Sequence, residues 1–180
     1  MNFKKKAVLA LIGSALAATS FVASAVTLRI GNQGDAQSLD PHSLNESLQL
    51  TVVGNVYEPL VTRGRDYKLA PSLATDWKQT SPTVWRFNLR KGVEFHDGTP
   101  FTADDVIFSV ARAAGDGSDV KAKVNDIKEV RKVNDTTIDI ETKGPFPILP
   151  DVLSDLAIMS KKWCEENKAE KPVDRRKGVE

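Results

Sequence analysis

The strand-like segment Val84–Leu89 and the turn that follows it constrain the fold of this 180-residue chain more than any other feature. Apolar and polar side chains alternate along Val84–Leu89, which is the pattern of a half-buried β-strand. Asp97 and Gly98 then form a strong turn dipeptide, because glycine readily adopts the positive φ that such turns require. The sequence therefore predicts a strand followed by a tight, polar turn.

A helix is predicted directly after this turn. Thr102 is a favourable N-cap, and Asp105, three residues later, completes a capping pair whose negative charge suits the first helical turn. Gly115 predicts the end of the helix. The predicted apolar face consists of Val106, Ile107, Phe108, Val110 and Ala111. We expect this face to pack on the strand, and the expected contacts join Trp85 or Phe87 to Val106 or Phe108.

His96 and Asp97, next to the glycine of the turn, raise a catalytic alternative. A histidine beside a carboxylate is a pairing that hydrolases use, so a secreted hydrolase is one alternative. Such an enzyme would also need a nucleophile or a metal within reach, and the sequence offers none that can be named. The turn interpretation is therefore preferred, and no catalytic residue is predicted.

The N-terminal 25 residues have the three parts of a secretory signal peptide. Residues 4–6 are lysines, residues 7–18 form an apolar stretch too short for a permanent membrane anchor, and Ala23-Ser24-Ala25 is a small-x-small cleavage site. Cleavage after Ala25 would leave Val26 as the first residue, and the predicted location is the periplasm. Loss of the three lysines changes the formal net charge from +1 to −2, which gives no electrostatic basis for binding nucleic acid or a membrane surface.

Cysteine and histidine are too scarce in this sequence to favour a disulfide or a metal centre. Cys164 is the only cysteine, and His42 and His96 are the only histidines. No cysteine follows the predicted cleavage site, so no lipid anchor is expected. Cys164 is assigned to packing in a short helix that begins after an N-cap at Ser160. The sequence predicts no cofactor and no metal site.

Elsewhere the sequence alternates short strands with helices. A strand is predicted at 27–30, and a helix at about 46–57 with Ser43 or Asn45 as its N-cap. The predicted buried side of that helix consists of Leu48, Val52, Val53 and Val56. Strand pairs are predicted at 60–63 with 68–69, at 73–78 with 84–89, and at 127–133 with 137–141, and residues 168–180 are predicted to form a loop. This pattern indicates the α+β class.

Several motifs occur in the order found in one known family. They are Ser38-Leu39-Asp40-Pro41-His42, Asn55-Val56-Tyr57-Glu58-Pro59-Leu60, Leu69-Ala70-Pro71-Ser72-Leu73-Ala74 followed by Trp77, the segment from Trp85 to Val106, and Pro145-Phe146. Together they resemble family 5, the peptide/nickel class, of the periplasmic solute-binding proteins, which are the extracytoplasmic receptors of ABC importers. The resemblance covers essentially the whole chain after the signal peptide.

The resemblance implies part of a two-lobe, periplasmic binding protein II-like fold. Family members are several-fold longer, and two lobes close on the ligand. We expect residues 1–25 to be the signal peptide, 26–59 the start of lobe one, 60–159 its inserted, strand-paired subdomain, and 160–180 a helix and a truncated linker. The second lobe is absent, so the sequence is either a truncated product or part of a longer one.

The resemblance also implies a function without chemistry. The chain would bind a peptide or a similarly sized solute and deliver it to the permease subunits of an ABC importer, as a monomer when full-length. The candidate ligand contacts are Gln33, Gly34, Tyr57 and Glu58. Gly34 could instead serve only a turn, and Tyr57 could be an ordinary core residue. A functionally incomplete fragment that acts only as an interaction module is a further alternative.

Overall fold

The computed structural model describes residues 27, 29, 31 and 33–173. The chain divides into two compact units, Met1–Gly31 and Asn32–Glu180, and the helices and strands described here belong to the second. The predicted signal peptide lies outside the described residues, as do two of the four residues of the predicted strand at 27–30. Within the described residues, no helix has the length and apolar character needed to cross a membrane.

Helices and strands are mixed along the described chain, which confirms the predicted α+β class. In order they are α1 (Ser47–Val53), β1 (Val61–Arg63), β2 (Leu69–Pro71), β3 (Ala74–Ser81), β4 (Val84–Leu89), α2 (Ala103–Ala114), β5 (Ile127–Asn134), β6 (Thr137–Thr142), α3 (Leu149–Val152) and α4 (Lys161–Glu166). Short 3-10 turns occupy Lys121–Lys123 and Leu153–Asp155. All three predicted strand pairs are present, and β3 continues beyond the predicted end to Ser81.

Four of the strands form one antiparallel sheet in the order β3-β4-β6-β5, and β1 pairs with β2 in a separate hairpin. The sheet therefore consists of two hairpins, β3–β4 and β5–β6, that meet where β4 lies beside β6. At this β4–β6 seam Trp85 lies opposite Ile140, and Phe87 lies opposite Ile138. Because side chains alternate between the two faces of a strand, these four residues share one apolar face.

The opposite face of the sheet is polar and carries paired charges. Arg86 donates two hydrogen bonds, of 2.7 and 2.8 Å, to the carboxylate of Asp139 across the seam. Glu141 accepts hydrogen bonds from Lys128 and Arg131, each 2.6 Å long. This apolar-in, polar-out alternation is typical of an antiparallel sheet with one solvated face.

Helix α2 supplies side chains to the core that covers the apolar face of the sheet. Phe87 of β4 and Val106 of α2 are both fully buried in one hydrophobic cluster. The strand that lies nearest to α2 is β5, so direct packing of α2 on β4 stays a prediction. Phe108 is only half-buried, and Ala111, predicted on the apolar face, is exposed. The other apolar residues that α2 contributes to the cluster are Ala103, Val110 and Ala113.

The predicted cap of helix α2 is present. Thr102 is the N-cap and forms a capping box with Asp105, and the helix ends at Gly115. Asp105 accepts hydrogen bonds from the backbone nitrogen of Thr102 (2.8 Å) and, through its other carboxylate oxygen, from the backbone nitrogen of Lys161 (2.9 Å). The same side chain therefore caps α2 and fastens the start of α4 to it.

A buried ion pair joins the C-terminal turn of α2 to two distant segments. Two nitrogens of the Arg112 guanidinium each lie 2.8 Å from a carboxylate oxygen of Asp40. Arg112 also donates to the backbone oxygens of Ala169 (3.0 Å) and Lys171 (3.1 Å). The backbone nitrogen of Val173 donates to Asp40 over 3.0 Å. One ion pair thus holds three parts of the chain together.

Helix α1 differs from the prediction at both ends. Its N-cap is Glu46, whose side chain accepts a hydrogen bond from the Gln49 backbone nitrogen, so the predicted caps at Ser43 and Asn45 are wrong. The helix ends at Gly54 rather than at residue 57. Val56 therefore lies outside the helix and is exposed, although it was predicted on the buried side.

Candidate functional site

An open cleft of about 410 Å³ lies next to the hydrophobic core. Its volume is within the range of small-molecule binding sites, and its walls are mainly apolar, as such sites usually are. The cleft is lined by Val56, Tyr57, Glu58, Leu73, Val93, Glu94, Phe95, His96, Asp97, Phe101, Ile158, Met159, Ser160 and Trp163. We refer to it below as the main cleft.

One wall of the main cleft is the tight loop that the sequence predicted after β4. The backbone nitrogen of Phe95 donates to the oxygen of Thr99 (2.8 Å), and that of Phe101 donates to the oxygen of Val93 (3.0 Å). Gly98 has a φ of +78°, which confirms the predicted glycine turn. Because its backbone is bonded internally on both sides of the turn, this wall is held in place before any ligand arrives.

Aromatic side chains make the interior of the main cleft apolar. The rings of Phe95 and Phe101 contact each other edge to face, with centroids 6.2 Å apart and planes at 81°. Trp163 of α4 also lines the cleft and is 45% exposed. The helix that carries it begins at Ser160, whose hydroxyl accepts a 3.1 Å hydrogen bond from the Trp163 backbone nitrogen, as predicted.

The charged groups that line the main cleft are predominantly acidic. Asp97 accepts hydrogen bonds from the hydroxyl (2.6 Å) and backbone nitrogen (3.0 Å) of Thr99, and these bonds lower the pKa of its carboxyl. Within the described residues, the carboxylates of Glu58 and Glu94 have no hydrogen-bond or ion-pair partner. His96 is the one basic side chain in the lining. Asp97 and His96 thus lie in the turn where the preferred interpretation placed them.

Tyr57 and Glu58, two of the predicted ligand contacts, lie together in the main cleft. The Tyr57 hydroxyl donates a 3.1 Å hydrogen bond to the backbone oxygen of Leu39, and burial raises the pKa of this phenol. The backbone oxygen of Glu58 accepts a 3.0 Å bond from the nitrogen of Ile158, which fastens the two walls to each other. Tyr57 also borders a second, smaller cavity of about 200 Å³.

Gln33 and Gly34, the other two predicted contacts, are not in the lining of the main cleft. Both residues are exposed. A Cβ atom at Gly34 would lie 3.0 Å from Cδ1 of Leu48, so the absence of a side chain at this position allows close packing on α1. The structure thus brings Tyr57 and Glu58 together in the main cleft. Gln33 and Gly34 lie outside it, and their role in ligand binding stays a prediction.

Sequence reasoning missed most of the side chains that form the main cleft, among them Glu94, Phe95, Phe101 and Trp163. Their signal was weak, because apolar residues at alternate positions beside a turn are equally typical of ordinary core. One pattern could have indicated the cleft. The aromatic residues of this loop lie beside the acidic residues Glu94 and Asp97, and Gly98 fixes the shape of the loop.

Two buried groups elsewhere have the chemistry of packing residues. Cys164 is fully buried, and burial raises the pKa of its thiol to about 11, so it is protonated at neutral pH. His42 is also buried, and burial lowers its pKa to about 4, which keeps the imidazole neutral. Among the residues that the structure describes, no group of three histidine, cysteine or carboxylate side chains is arranged to hold a metal ion.

Comparison with known proteins gives a consistent family match. The model of the family described as "Bacterial extracellular solute-binding proteins, family 5 Middle" matches residues 68–177. The periplasmic oligopeptide-binding protein OppA of Escherichia coli K12 is 36% identical over 87 residues, which is 48% of this chain and 16% of OppA. The glutathione-binding protein GsiB of Shigella dysenteriae serotype 1 is 27% identical over 150 residues, which is 81% of this chain and 29% of GsiB.

Solved structures agree with this match. The ABC transporter-associated periplasmic binding protein DppA from Helicobacter pylori, in complex with the peptide STSA, superposes with a TM-score of 0.64 at 27% identity. That superposition covers 76% of this chain and 32% of DppA. OppA of Burkholderia pseudomallei has the same fold over 73% of this chain and 30% of its own, with a TM-score of 0.69 at 22% identity. The chain therefore spans less than a third of these relatives.

Proposed function

Because the chain belongs to family 5 of the bacterial extracellular solute-binding proteins, we propose that it serves as an extracytoplasmic receptor of an ABC importer. In this role it captures a peptide or a similarly sized solute and presents it to the permease subunits. The proposal extends to the periplasm as its location, because the relatives OppA and MppA of Escherichia coli are described as periplasmic. The predicted signal peptide at 1–25 supports the same location.

The main cleft is the observation that carries this proposal. It has the size and apolar walls of a solute site, and the sequence analysis had independently selected two of its lining residues, Tyr57 and Glu58. Gln33 and Gly34 are proposed as further contacts, to ligand groups outside the cleft. Names of relatives support a peptide as the solute, since OppA is an oligopeptide-binding protein and DppA is in complex with a peptide.

A receptor requires no catalytic residue. The residues that could act as catalysts have other roles in this structure. His96 and Asp97 are adjacent, but the Asp97 carboxylate is engaged by Thr99 and the one cysteine is a buried, protonated thiol. We therefore propose a binding protein without enzymatic activity, which acts as a monomer in its full-length form.

Binding by this chain can be tested with the tripeptide Phe-Ala-Phe and ligand-observed NMR. One lobe provides only part of a closed site, so we expect weak binding, with a Kd of roughly 0.1–1 mM. Trp163→Ala should weaken binding severalfold, because its ring lines the main cleft. Tyr67→Ala is the matched control, since Tyr67 is 80% exposed on the β1–β2 hairpin and outside the cleft.

Two results would contradict the proposal. Absence of any saturation transfer to the peptide would favour the alternative in which the chain is only an interaction module. Equal weakening by Trp163→Ala and Tyr67→Ala would place the peptide outside the main cleft.

The cellular location is tested separately by mass spectrometry of the periplasmic fraction, where we expect an N-terminus at Val26. A product that retains Met1 in the cytoplasm would contradict export.

A further inference from the structure

His42 lies in a compact turn formed by residues 38–43, which we name the His42 turn. Its imidazole is buried, and the residue is 1% exposed. The side chain of Asp40 accepts a 3.0 Å hydrogen bond from the backbone nitrogen of His42, and its backbone oxygen accepts a 2.9 Å bond from the hydroxyl of Ser43. The backbone oxygen of His42 accepts a 2.9 Å bond from the nitrogen of Asp119. These bonds hold the turn and the buried ring in one position.

The His42 turn is bonded to the lining of the main cleft at two points. The Nε2 atom of its histidine lies 3.0 Å from the backbone oxygen of Ala157 and donates to it. The next two residues, Ile158 and Met159, line the cleft. In the same turn, the backbone oxygen of Leu39 accepts the 3.1 Å bond from the hydroxyl of Tyr57, which also lines the cleft. A displacement of the turn therefore reaches the cleft through both connections.

The surroundings of the imidazole suit only its neutral form. Its Nδ1 atom is buried, and within the described residues it has no hydrogen-bond partner. A proton on this atom would create a buried N–H group without an acceptor. Burial, which disfavours a charged ring, lowers the pKa of His42 to about 4.

The charged groups that face the ring do not compensate for this burial. The cations of Arg112 and Lys123 both oppose a further positive charge on His42. The carboxylate of Asp40 favours such a charge, but both of its oxygens are bonded to Arg112. The second carboxylate nearby, that of Asp155, lies 2.8 Å from the Lys123 ammonium and pairs with it.

We propose that proton uptake by His42 opens the His42 turn and thereby weakens solute binding in the main cleft. Opening gives water access to the Nδ1 atom, and water then solvates the charged ring. The solute binds the closed arrangement, in which Tyr57 and Ile158 are held in place, so the proton and the solute act in opposite directions on one two-state element. This inference rests on the receptor function proposed above. It adds that the cleft retains its solute at neutral pH and releases it in mildly acidic solution.

Amide hydrogen exchange of the full chain tests the opening without any solute. The backbone nitrogens of Ser43 and Asp119 donate bonds that opening of the turn would break. After correction for the intrinsic effect of pH, we expect these two amides to exchange faster than those of the β4–β6 seam, and roughly tenfold faster at pH 5.0 than at pH 7.0. If they exchanged as slowly as the seam amides, the turn would open only when the whole protein unfolds, and the inference would be wrong.

Solute binding tests the second half of the inference. The Kd for Phe-Ala-Phe, measured by ligand-observed NMR, should rise roughly threefold between pH 7.0 and pH 5.0. His42→Gln should remove this rise, because the titrating ring is gone while the ionisation of the peptide is unchanged. His96→Gln is the matched control, since it removes the exposed histidine that lines the cleft, and it should keep the rise.

The outcomes separate this inference from the receptor function. A Kd that stayed constant with pH, or a rise that His96→Gln removed and His42→Gln kept, would overturn the coupling and leave the cleft as a solute site. No binding of Phe-Ala-Phe at either pH would contradict the receptor function, and with it the coupling to a solute. The exchange rates of Ser43 and Asp119 would then still decide whether protonation opens the turn.

Discussion

The carboxylate of Asp40 and the guanidinium of Arg112 form a two-pronged ion pair, although 72 residues separate them. The Arg112 side chain is 2% exposed and that of Asp40 is 11% exposed. Burial by itself would raise the pKa of Asp40, but hydrogen bonds from Arg112 and from the backbone of His42 and Val173 lower it instead. The pair is therefore a buried, fully bonded one, in which removal of one partner leaves an uncompensated charge.

Arg112→Met should destabilise the protein by roughly 3–5 kcal/mol, because it leaves the Asp40 carboxylate buried without its partner. The measurement is the free energy of unfolding from urea denaturation of the full chain. Arg86→Met is the matched control, since Arg86 also pairs two-pronged with an aspartate but on the solvent-facing side of the sheet, and we expect a much smaller loss.

The double variant Asp40→Asn/Arg112→Met provides a second check on this ion pair. It removes both charges, so it should be more stable than Arg112→Met alone. If the double variant were less stable than the single one, the lost packing of Arg112 would explain the effect and the electrostatic account would be wrong.

Protonation of His42 should destabilise the fold in mildly acidic solution. Burial lowers the pKa of His42 from its usual 6.5 to about 4 in the folded protein. Between these two pH values the unfolded chain binds the proton more readily than the folded one, so stability falls as pH decreases through this window. The loss should be roughly 2.5 kcal/mol at pH 4.5, measured as the change in unfolding free energy between pH 7.5 and pH 4.5.

His42→Gln should remove most of this pH dependence, because the titrating group is gone. His96→Gln is the matched control, because it removes a histidine from an exposed position. The Nε2 atom of His42 lies 3.0 Å from the backbone oxygen of Ala157, so this nitrogen carries the proton of the neutral ring. An unchanged slope in His42→Gln would assign the pH dependence to other groups.

Phe87→Ala should cost roughly 3–5 kcal/mol of unfolding free energy, as expected when a fully buried aromatic side chain is truncated in a packed core. Phe87 is 0% exposed and lies at the β4–β6 seam opposite Ile138. Thermal and urea unfolding of the full chain measure the effect. Tyr67→Ala truncates an 80% exposed aromatic residue and should change stability little, so similar losses in both variants would contradict this core.

Asp105→Ala should destabilise the protein more than Thr102→Ala, although both remove parts of the same capping box. Loss of the Thr102 hydroxyl should cost roughly 0.5–2 kcal/mol, the usual range for an N-cap. Asp105→Ala also leaves the backbone nitrogen of Lys161, at the start of α4, without its partly buried acceptor, which should add about 1 kcal/mol. Equal losses, measured by urea denaturation, would mean that the link to α4 contributes nothing.

Local patterns in the sequence were sufficient to predict the three strand pairs, the turn at Gly98 and both ends of α2. Each of these depends on residues within a few positions, such as alternation along β4 or Thr102 with Asp105. The cap of α1 was not predictable in this way. Ser43 donates its hydroxyl proton to the backbone oxygen of Asp40, and the backbone nitrogen of Asn45 donates to the distant Asp119 carboxylate. The helix begins after both residues, and the Glu46 side chain caps it.

Long-range contacts also explain why the candidate site was only partly predicted. Tyr57 and Glu58 were selected from the family resemblance, whereas Glu94 and Trp163 join them only because three distant segments converge on one cleft. The burial of Arg112 was missed for a related reason. A charged residue near the end of a helix is usually solvated, and only the fold places Asp40 opposite it.

The β4–β6 seam has a consequence for how the protein folds. Each hairpin of the sheet closes within a short stretch of chain, and such hairpins form on a microsecond timescale. The contacts across the seam, in contrast, join residues such as Arg86 and Asp139 that are 53 positions apart. Loop closure over that distance costs entropy before any contact compensates for it. Docking of the two hairpins is therefore the step expected to set the folding rate, and residues at the seam should have the highest φ-values in the sheet.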